Sequence, residues 1–463
     1  MPADPTAASL PDAPRSTGAP ASFLGSVNLV MFMYAADGLL ALATGALVAR
    51  SLGTDGRGAY GLFVVSAAFG QLLLGLGAGN AAIYYLNKHE MALRDIVSAM
   101  HVIVGWSIVV TAIVVALVAP WAGERVFGDD ITPWLLVLAV PALLYMNLLR
   151  LVLQGQSRFA DLGVTTVGQQ AVLLALVAIA VATGDPSPTQ IVVYLIIAST
   201  AAAAYALLRI GIRNVDVAQI IRPRRNVIRS LVHFGVQGEA GNVLQLMNYR
   251  LDQYIVRAFV GLSGVGIYAV SASMTESVFI LANAVALVLM PRMTSADPDD
   301  AKWMAPVASR NTMLIAAAGS IVLAAVAPLF IPALFGDAFR DSVQALWWLL
   351  PGTVALTGSK VLTSYIFSQG KPLVNTMITL VSLAVTLVAD FALIPVFGVN
   401  GAAAASSLAY IAHFGAALIA YRAISGQPPL DAVLPRPRDA ELYVDAARSL
   451  LARLARRAAP ANG

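Results

Sequence analysis

The chain has no cysteine and few charged residues for its length. Only 12% of its 463 residues are charged and 59% are hydrophobic, whereas a soluble domain carries about 25% charged residues. The absence of cysteine excludes disulfide bonds, thiolate metal sites and cysteine nucleophiles. The scarcity of charge excludes an ordinary soluble domain, so the composition predicts an integral membrane protein.

Signatures of enzymes are missing as well. The sequence has no GxxxxGK(S/T) phosphate-binding loop, no HExxH zinc motif and no GxSxG nucleophile elbow. Its four histidines are scattered without metal-ligand spacing. We therefore expect neither an enzyme nor a cofactor or metal site. The net charge of +4 does not indicate nucleic-acid binding, because the basic residues lie mainly in loops and a tail.

Long apolar runs dominate the sequence. About 20 apolar residues cross a bilayer, and on that standard the sequence predicts an all-α polytopic membrane protein with twelve spans. Residues 1–23 are expected to form a disordered cytoplasmic arm, because no basic segment leads into a short apolar run as in a signal peptide. The spans are predicted at about 24–49, 60–85, 96–119, 134–154, 162–182, 189–208, 231–256, 265–290, 306–330, 344–367, 373–394 and 401–421.

The distribution of Lys and Arg predicts the orientation of the spans. With the N-terminus inside, the cytoplasmic segments hold 22 basic residues and the opposite side holds five. Because cytoplasmic loops carry an excess of Lys and Arg, both termini are expected in the cytoplasm, with the protein in the plasma membrane of a bacterium.

The domain boundaries follow from the same segments. A basic linker at 209–230, with six arginines, separates an N-terminal six-helix bundle (24–208) from a C-terminal one (231–422). A cytoplasmic tail occupies 423–463. Within it, DAELYVDAARSLLARLARR (439–457) is predicted to form a basic amphipathic helix attracted to anionic lipid. Docking of that helix to a partner protein is the alternative.

The two halves resemble each other. RSLGTDGRGAY (50–60) is similar to RAFVGLSGVGIY (257–268), and LQGQSRFADLG (153–163) is similar to SQGKPLVNTM (368–377). Each pair follows the same span of its half. Repeats with the same orientation predict two pseudo-symmetric bundles around a central cleft, with alternating access by rocking.

The seventh span carries the most unusual residues. EAGNVLQLMNYRLDQYIVR (239–257) puts ionised groups in a membrane-length segment, where each costs roughly 2.5–3.5 kcal/mol at the bilayer centre. At about 100° per residue, the polar side chains fall on one side of a helix and all apolar ones but Leu246 on the other. Lipid on one face and water on the other indicate a polar cavity, and hence transport. The predicted polar face consists of Glu239, Asn242, Gln245, Asn248, Tyr249, Arg250, Asp252 and Gln253.

Other spans place polar side chains where they could line the same cleft. With the seventh span they would form a substrate cavity. These candidates are Asp37 in span 1, Asn147 and Arg150 in span 4, Glu276 in span 8 and Lys360 in span 10.

Structural roles stay open for several of these groups. Serines and threonines in membrane helices usually bond their own backbone or a neighbouring helix. Arg150, near a cytoplasmic end, could extend to the headgroups. Arg250 and Asp252 could form a structural salt bridge, and Asp390 could have a helix-terminal or packing role.

Assembled in order, these segments resemble polysaccharide-export (Wzx-type, lipid-linked oligosaccharide) flippases of the multidrug/oligosaccharidyl-lipid/polysaccharide (MOP) exporter superfamily. The resemblance covers about residues 24–422. It is carried by five segments in the correct order, namely ALVARSLGTDGRGAYGLF, NYRLDQYIVRAFVGLSGVGIYAVSASMTE, FGDAFRDSVQALWWLLPG, SQGKPLVNTM and ADFALIPVFGVNGAAAASSLAY.

The resemblance implies a substrate, which periodicity alone does not. Such flippases move undecaprenyl-diphosphate-linked oligosaccharides from the cytoplasmic to the outer leaflet. The implied partners are that lipid-linked oligosaccharide, membrane lipids and polysaccharide polymerase or glycosyltransferase enzymes. Asn, Gln, Ser and Tyr side chains suit a sugar headgroup, and Arg150, Arg250 and Lys360 are candidates for binding the diphosphate.

The expected membrane charges fit an anionic cargo poorly. Five acidic groups face three basic ones, a net charge of −2, whereas an anion-binding cleft should be positive. Some acids could bind H⁺ or Na⁺ in an antiport cycle, or pair with the basic groups. The groups are Asp37, Glu239, Asp252, Glu276 and Asp390 against Arg150, Arg250 and Lys360.

Other functions remain possible on the sequence alone. The same fold could export a cationic drug in exchange for an ion, or a lipid-linked peptidoglycan precursor. A membrane glycan polymerase or ligase would need a sizeable outer loop, and the longest one, about residues 120–133, is too short. A scaffold without transport is disfavoured by the polar face of the seventh span.

Overall fold

The computed structural model describes residues 20–295, 298–436 and Asp439. Most of the predicted N-terminal arm and the predicted amphipathic helix beyond Asp439 lie outside the described residues. The described part forms the α-helices α1 (Pro20–Gly75), α2 (Ala78–Asn87), α3 (Leu93–Phe127), α4 (Leu136–Gly155), α5 (Phe159–Thr183), α6 (Pro188–Ile210), α7 (Val217–Ile221), α8 (Arg225–Phe259), α9 (Leu262–Ser295), α10 (Pro298–Phe335), α11 (Ser342–Ser368) and α12 (Pro372–Ser425).

Two of these helices each contain two membrane-length segments. α1 turns at Gly53 (φ 66°, ψ −170°) and α12 turns at Gly398 (φ 57°, ψ −132°), backbone conformations that glycine adopts easily because it lacks a Cβ. The short α2 completes the second segment beyond a break at Leu76 and Gly77, and α7 lies in the linker. The expectation of about twelve membrane-spanning helices is therefore confirmed.

The most polar spans are the least able to cross a membrane alone. By length and apolar composition, seven of the described helices could do so. α8, α9 and α11 do not meet that standard, and they carry Arg250, Glu276 and Lys360. Such helices are stable in a bilayer when their ionised groups face protein or water.

The two halves share a large apolar core on one side of the membrane. We call the side of the linker (209–230) the linker face and the opposite side the far face. Toward the far face, one apolar core joins Phe63 of the N-terminal half to Val256 of the C-terminal half. Toward the linker face the cores are separate, one around Met100 and another around Tyr421. The bundles thus share their core at the far face and flank a central cleft, and at the linker face they are joined by the first turns of α8.

The helix α8 belongs to both halves. Its Leu231 lies in the core of the N-terminal half, and the Phe234 ring stacks on Tyr84 of α2 with centroids 4.5 Å apart. Val256, near its other end, packs in the shared core. The first turns of α8, expected at the start of the C-terminal bundle, therefore pack on the N-terminal one.

Candidate functional site

The polar side of α8 is divided between two environments. Asn248, Asp252 and Gln253 are at most 2% exposed, while Asn242 is exposed and the Arg250 side chain is 30% exposed. The interpretation that this whole side meets water is therefore wrong for the three buried residues. Helical periodicity alone does not distinguish water from a polar protein interior.

The buried part of α8 belongs to a hydrogen-bond network inside the C-terminal bundle. The Asp252 carboxylate accepts hydrogen bonds from the Tyr268 hydroxyl and, at 3.1 Å, from the Ser406 hydroxyl. One turn earlier, the side-chain amide oxygen of Asn248 accepts a hydrogen bond from the Thr386 hydroxyl at 2.9 Å. These bonds join α8 to α9 and α12 and supply the partners that a polar group needs in a dry interior.

Asp390 of α12 has no such partners. The residue is 0% exposed, and neither carboxylate oxygen has a hydrogen-bond partner among the described residues. It lies within electrostatic range of Asp252. Because an unpaired ionised carboxylate is very costly to bury, this pair of acids is suited to holding a proton or a small cation.

A second charged group lies where the two halves face each other. The Arg250 guanidinium of α8 donates to the Glu276 carboxylate of α9 at 2.5 Å. Arg57 of α1, in the other half, is within electrostatic range of both, and its guanidinium carbon lies 5.7 Å from the centre of the Tyr60 ring. Its buried Nε has no hydrogen-bond partner among the described residues. The cleft therefore has charged groups on both walls.

Lys360 extends this group along α11. Its ammonium lies 4.7 Å from the centre of the Phe279 ring and within electrostatic range of Glu276. It is also within range of His413, whose Nδ1 lies 2.6 Å from the Ser359 hydroxyl. α9, α11 and α12 thus bring a lysine, a histidine, a hydroxyl and a carboxylate together.

Aromatic rings adjoin these charges. Tyr249 of α8 and Phe279 of α9 both contact Tyr410 edge-on, with centroids 6.0 and 6.3 Å apart. The Gln245 side chain donates to the Tyr249 hydroxyl at 3.2 Å. Rings beside amide groups are suited to contacting a sugar, which has both apolar faces and hydroxyls.

The remaining predicted residues form two smaller groups. Asp37 of α1, half-buried, lies within electrostatic range of Arg150 of α4, and Asn147 lies one turn before that arginine. On α8, the half-buried Glu239 accepts a hydrogen bond from Asn242 at 3.1 Å. The predicted residues are therefore distributed along the spans rather than gathered at one point.

These positions change the charge balance of the cleft. Asp252 and Asp390 are buried inside the C-terminal bundle, and Arg57 joins the groups that face the cleft. Among the predicted cleft groups that remain, with Arg57 added, four basic ones stand against three acidic ones, one positive charge in excess instead of the negative balance expected from the sequence. They are Arg57, Arg150, Arg250 and Lys360 against Asp37, Glu239 and Glu276.

At the far face the two halves cross closely. Gly58 of α1 and Gly266 of α9 pack so tightly that a Cβ on either would overlap the backbone of the other half. Beside them the Ser263 hydroxyl donates to the Thr54 hydroxyl at 2.9 Å. The Arg50 guanidinium donates to a backbone carbonyl of α10 at 2.9 Å. The crossing segments, 50–60 of α1 and 257–268 at the junction of α8 and α9, are the repeat pair recognised in the sequence. Together they close the cleft at this face.

Arg57 is the main residue that sequence reasoning missed. Arg57 was assigned to a loop because the second span was expected to begin at residue 60, whereas α1 resumes directly after Gly53. Tyr268 ends the second copy of the repeat, aligned with Tyr60. That shared Gly-x-Gly-x-Tyr ending, with Arg57 between the two glycines of the first copy, was the available signal.

Comparison with known proteins gives a family and a fold. The sequence profile described as "Polysaccharide biosynthesis protein" matches residues 47–344. No curated protein is significantly similar in sequence.

Several solved structures share the arrangement of helices. A lipid II flippase MurJ in an inward closed conformation is 12% identical, with TM-score 0.70 over 85% of this chain and 87% of that one. An inward-facing multidrug resistance MATE family transporter of the MOP superfamily is 15% identical, with TM-score 0.65 over 84% and 94%. The Vibrio cholerae MATE transporter VcmN in the bent form is 16% identical, with TM-score 0.57 over 89% and 99%. At these identities the matches show the MOP-superfamily fold.

Proposed function

Because this chain belongs to the polysaccharide biosynthesis protein family, we propose that it is a flippase for an oligosaccharide linked to undecaprenyl diphosphate. The cargo would enter from the inner leaflet of a bacterial plasma membrane and leave into the outer leaflet. The linker face would be cytoplasmic, as the distribution of Lys and Arg predicts. The oligosaccharide would then be available to a polysaccharide polymerase, after assembly by glycosyltransferases on the inner side.

One observation supports this proposal above the others. Charged side chains from both halves face each other inside the membrane, with Arg57 in one half and Arg250 and Glu276 in the other. The halves meet at the far face directly beside Arg57, since the next residue, Gly58, packs on the backbone of α9. A polar cleft closed at one face is what alternating access requires, since rocking of the halves would expose the charges to either side in turn.

The cleft offers suitable groups for the two polar parts of the cargo. A diphosphate prefers arginine and lysine, which donate charge-assisted hydrogen bonds to its oxygens. Arg57, Arg250 and Lys360 are the proposed ligands, with Arg150 nearer the linker face. The sugars would contact the amides and rings around Tyr249, while the lipid chain stays in the bilayer.

The buried acids provide a site for a coupling ion. Asp252 and Asp390 are buried within the C-terminal bundle, and Asp252 lies within electrostatic range of Arg250 in the cleft. We propose that they bind H⁺ or Na⁺ when the cleft is open to one side and release it on the other. Ion flow would then drive the cargo in one direction.

The charge balance also discriminates between cargos. One positive charge in excess disfavours a cationic drug, which the sequence alone left open. A lipid-linked peptidoglycan precursor carries the same diphosphate, so it remains the competing cargo.

The test is lipid flipping by purified protein in proteoliposomes. Undecaprenyl-diphosphate oligosaccharide, peptidoglycan precursor and a cationic dye are offered separately, and cargo that reaches the opposite leaflet is measured. We expect movement of the oligosaccharide, lowered at least tenfold by Arg57→Gln or Arg250→Gln at normal protein abundance. Arg125→Gln, at an exposed arginine outside the cleft, is the matched control and should keep full activity. Movement of the precursor or dye alone would contradict the proposed cargo.

A further inference from the structure

One face of the linker is fixed to the first turns of α3. The Asp216 carboxylate pairs with Arg94 at 3.0 Å, and Arg224 pairs with Asp95 at 2.8 Å. The backbone N–H of Asp216 also donates to the Ser98 hydroxyl at 3.2 Å. The linker therefore has a defined orientation on the N-terminal bundle.

The other face of the linker exposes large apolar side chains. Ile212, Val217 and Ile221 are 59%, 64% and 73% exposed. Val217 and Ile221 are four residues apart in α7, so they lie on the same side of that helix. Apolar side chains clustered on an exposed polar segment indicate a surface that contacts something other than water.

The same segment is strongly basic. Arg213, Arg222, Arg225 and Arg229 are exposed, and none forms an ion pair with the described residues. Asp216 is the only acid between residues 211 and 229, and it is engaged by α3 and by the first N–H groups of α7. The exposed surface therefore needs a partner with negative charge and apolar groups.

The position of the linker determines which partner it meets. It joins the end of α6 directly to the start of α8, and both are membrane spans, so it lies at the level of the lipid headgroups. Segments with arginines and exposed apolar side chains at this level lie in the interface, with the apolar groups at the boundary of headgroups and acyl chains. Each basic residue near an anionic leaflet contributes about 1 kcal/mol.

We infer that the linker is a binding surface for anionic phospholipid. Ile212, Val217 and Ile221 enter the interface, and the four exposed arginines bind lipid phosphates. Because the linker is tied to α3 and leads into α8, bound lipid holds the N-terminal bundle and the first turns of α8 at a fixed depth. This surface is separate from the cleft and does not depend on the identity of the cargo.

The first test measures the depth of the linker. The natural chain has no cysteine, so Ile221→Cys gives a single site for a fluorescent label in nanodiscs of phosphatidylcholine and phosphatidylglycerol. We expect quenching by brominated lipid rather than by iodide in the water. Glu90→Cys, in an exposed polar loop of the same face, is the control and should be quenched mainly by iodide. A label at 221 that behaves like the label at 90 would overturn the inference.

The second test measures the charge. Fluorescent phosphatidylglycerol is titrated onto the detergent-purified full chain, and Arg222→Gln with Arg225→Gln should weaken binding roughly fivefold for each arginine. Replacement of the same pair by lysine should retain binding. Lys88→Gln with Lys371→Gln, at exposed lysines of other loops, should have little effect. An equal loss of lipid binding in the arginine and lysine variants, or no loss in the arginine variant, would refute a specific surface. If the Gln variant of the arginines fails to accumulate, the depth test remains decisive.

Discussion

Asp161 and Asp390 are buried carboxylates with opposite surroundings. Asp161, 8% exposed, accepts hydrogen bonds from Arg158 at 2.8 Å and from Arg209 at 2.6 Å. Asp390, 0% exposed, has no hydrogen-bond partner among the described residues. The first carboxylate is held by charge pairing, whereas the second needs a proton or a bound cation to remain buried.

The same substitution should therefore affect the two sites differently. Asp390→Asn removes the charge without leaving an unpaired ion, so the midpoint of thermal denaturation should stay close to that of the natural protein. A ligand that binds only the folded state stabilises that state. If the site holds Na⁺, the natural protein should melt at a higher temperature in NaCl than in choline chloride, and if it holds H⁺, its melting temperature should depend on pH. Asp390→Asn should abolish that dependence. Differential scanning fluorimetry in detergent provides both measurements.

Asp161→Asn is the matched control. It leaves two arginines without their carboxylate, and we expect only a small loss of stability because both guanidiniums are partly exposed and screened by water. Its response to the ion should be unchanged. A response to the ion that survives Asp390→Asn would exclude this acid from the coupling site.

A third aspartate, Asp439, should hold the segment that follows α12 against α10. Both oxygens of its carboxylate accept hydrogen bonds from the Arg310 guanidinium at 2.6 Å, and the arginine is 6% exposed. This pairing lowers the pKa of Asp439 from 3.8 to about 2. Because the pKa is lowered in the folded state, the stabilisation is complete above the unfolded pKa and is lost as the pH falls through about 2. The segment should therefore resist proteases equally at any pH from 5 to 8.

Asp439→Asn should release this segment at neutral pH. Breaking a buried pair leaves Arg310 without a counter-charge, which costs about 3–5 kcal/mol and should speed cleavage after residue 425 by limited proteolysis. Replacing both partners, Arg310→Met with Asp439→Leu, should restore much of the protection because no buried charge remains. If the single variant is cleaved no faster than the natural chain, the pair does not fasten the segment.

At the scale of helices, most of the fold but only part of the site could be predicted from the sequence. Spans follow from apolar length, which is a local property, so all twelve were found. α8 and α10 extend past the predicted ends because helices continue outside the hydrocarbon layer. Asn248 and Asp252 were assigned to water because periodicity defines a side of a helix and not what covers it. Only the three-dimensional structure shows that α9 and α12 pack over these two side chains of α8.

Small side chains show the same dependence on packing. Gly58 and Gly61 lie three residues apart in α1, and periodicity gives no reason to treat them differently. A Cβ on Gly58 would overlap the backbone of α9, whereas a Cβ on Gly61 would meet nothing within 4 Å. Only the first glycine is therefore required by contact between the halves.

Gly58→Ala should weaken the closed far face. We expect a loss of about 1–3 kcal/mol from overpacking, together with greater labelling of a cysteine placed at Ser263 by a membrane-impermeant reagent. Gly61→Ala should be neutral or stabilising by up to about 1 kcal/mol, because alanine favours helix over glycine. Equal labelling in the two variants would show that the crossing at Gly58 does not close this face.

For the whole molecule, the two repeats meet at the axis that relates them. Gly58 faces the second copy and Gly266 faces the first, in equivalent positions of the aligned segments. At the far face the two halves are therefore joined by contacts that would all break at once if the halves rocked apart. Toward the linker face the apolar cores are separate, and the halves are joined there by the first turns of α8, which pack on the N-terminal bundle.

A cross-link across this axis should stop transport. Thr54→Cys with Ser263→Cys replaces two hydroxyls that lie 2.9 Å apart, in a chain with no other cysteine. Oxidation should block flipping in proteoliposomes almost completely, because alternating access requires these segments to part, and a reductant should restore it.

Gly70→Cys with Val140→Cys is the control. It joins α1 to α4 within one half, where the Cβ atoms would be 3.6 Å apart, a distance suited to a disulfide. That bond should leave transport largely intact. Transport that continues through a fully cross-linked far face would rule out rocking about this axis.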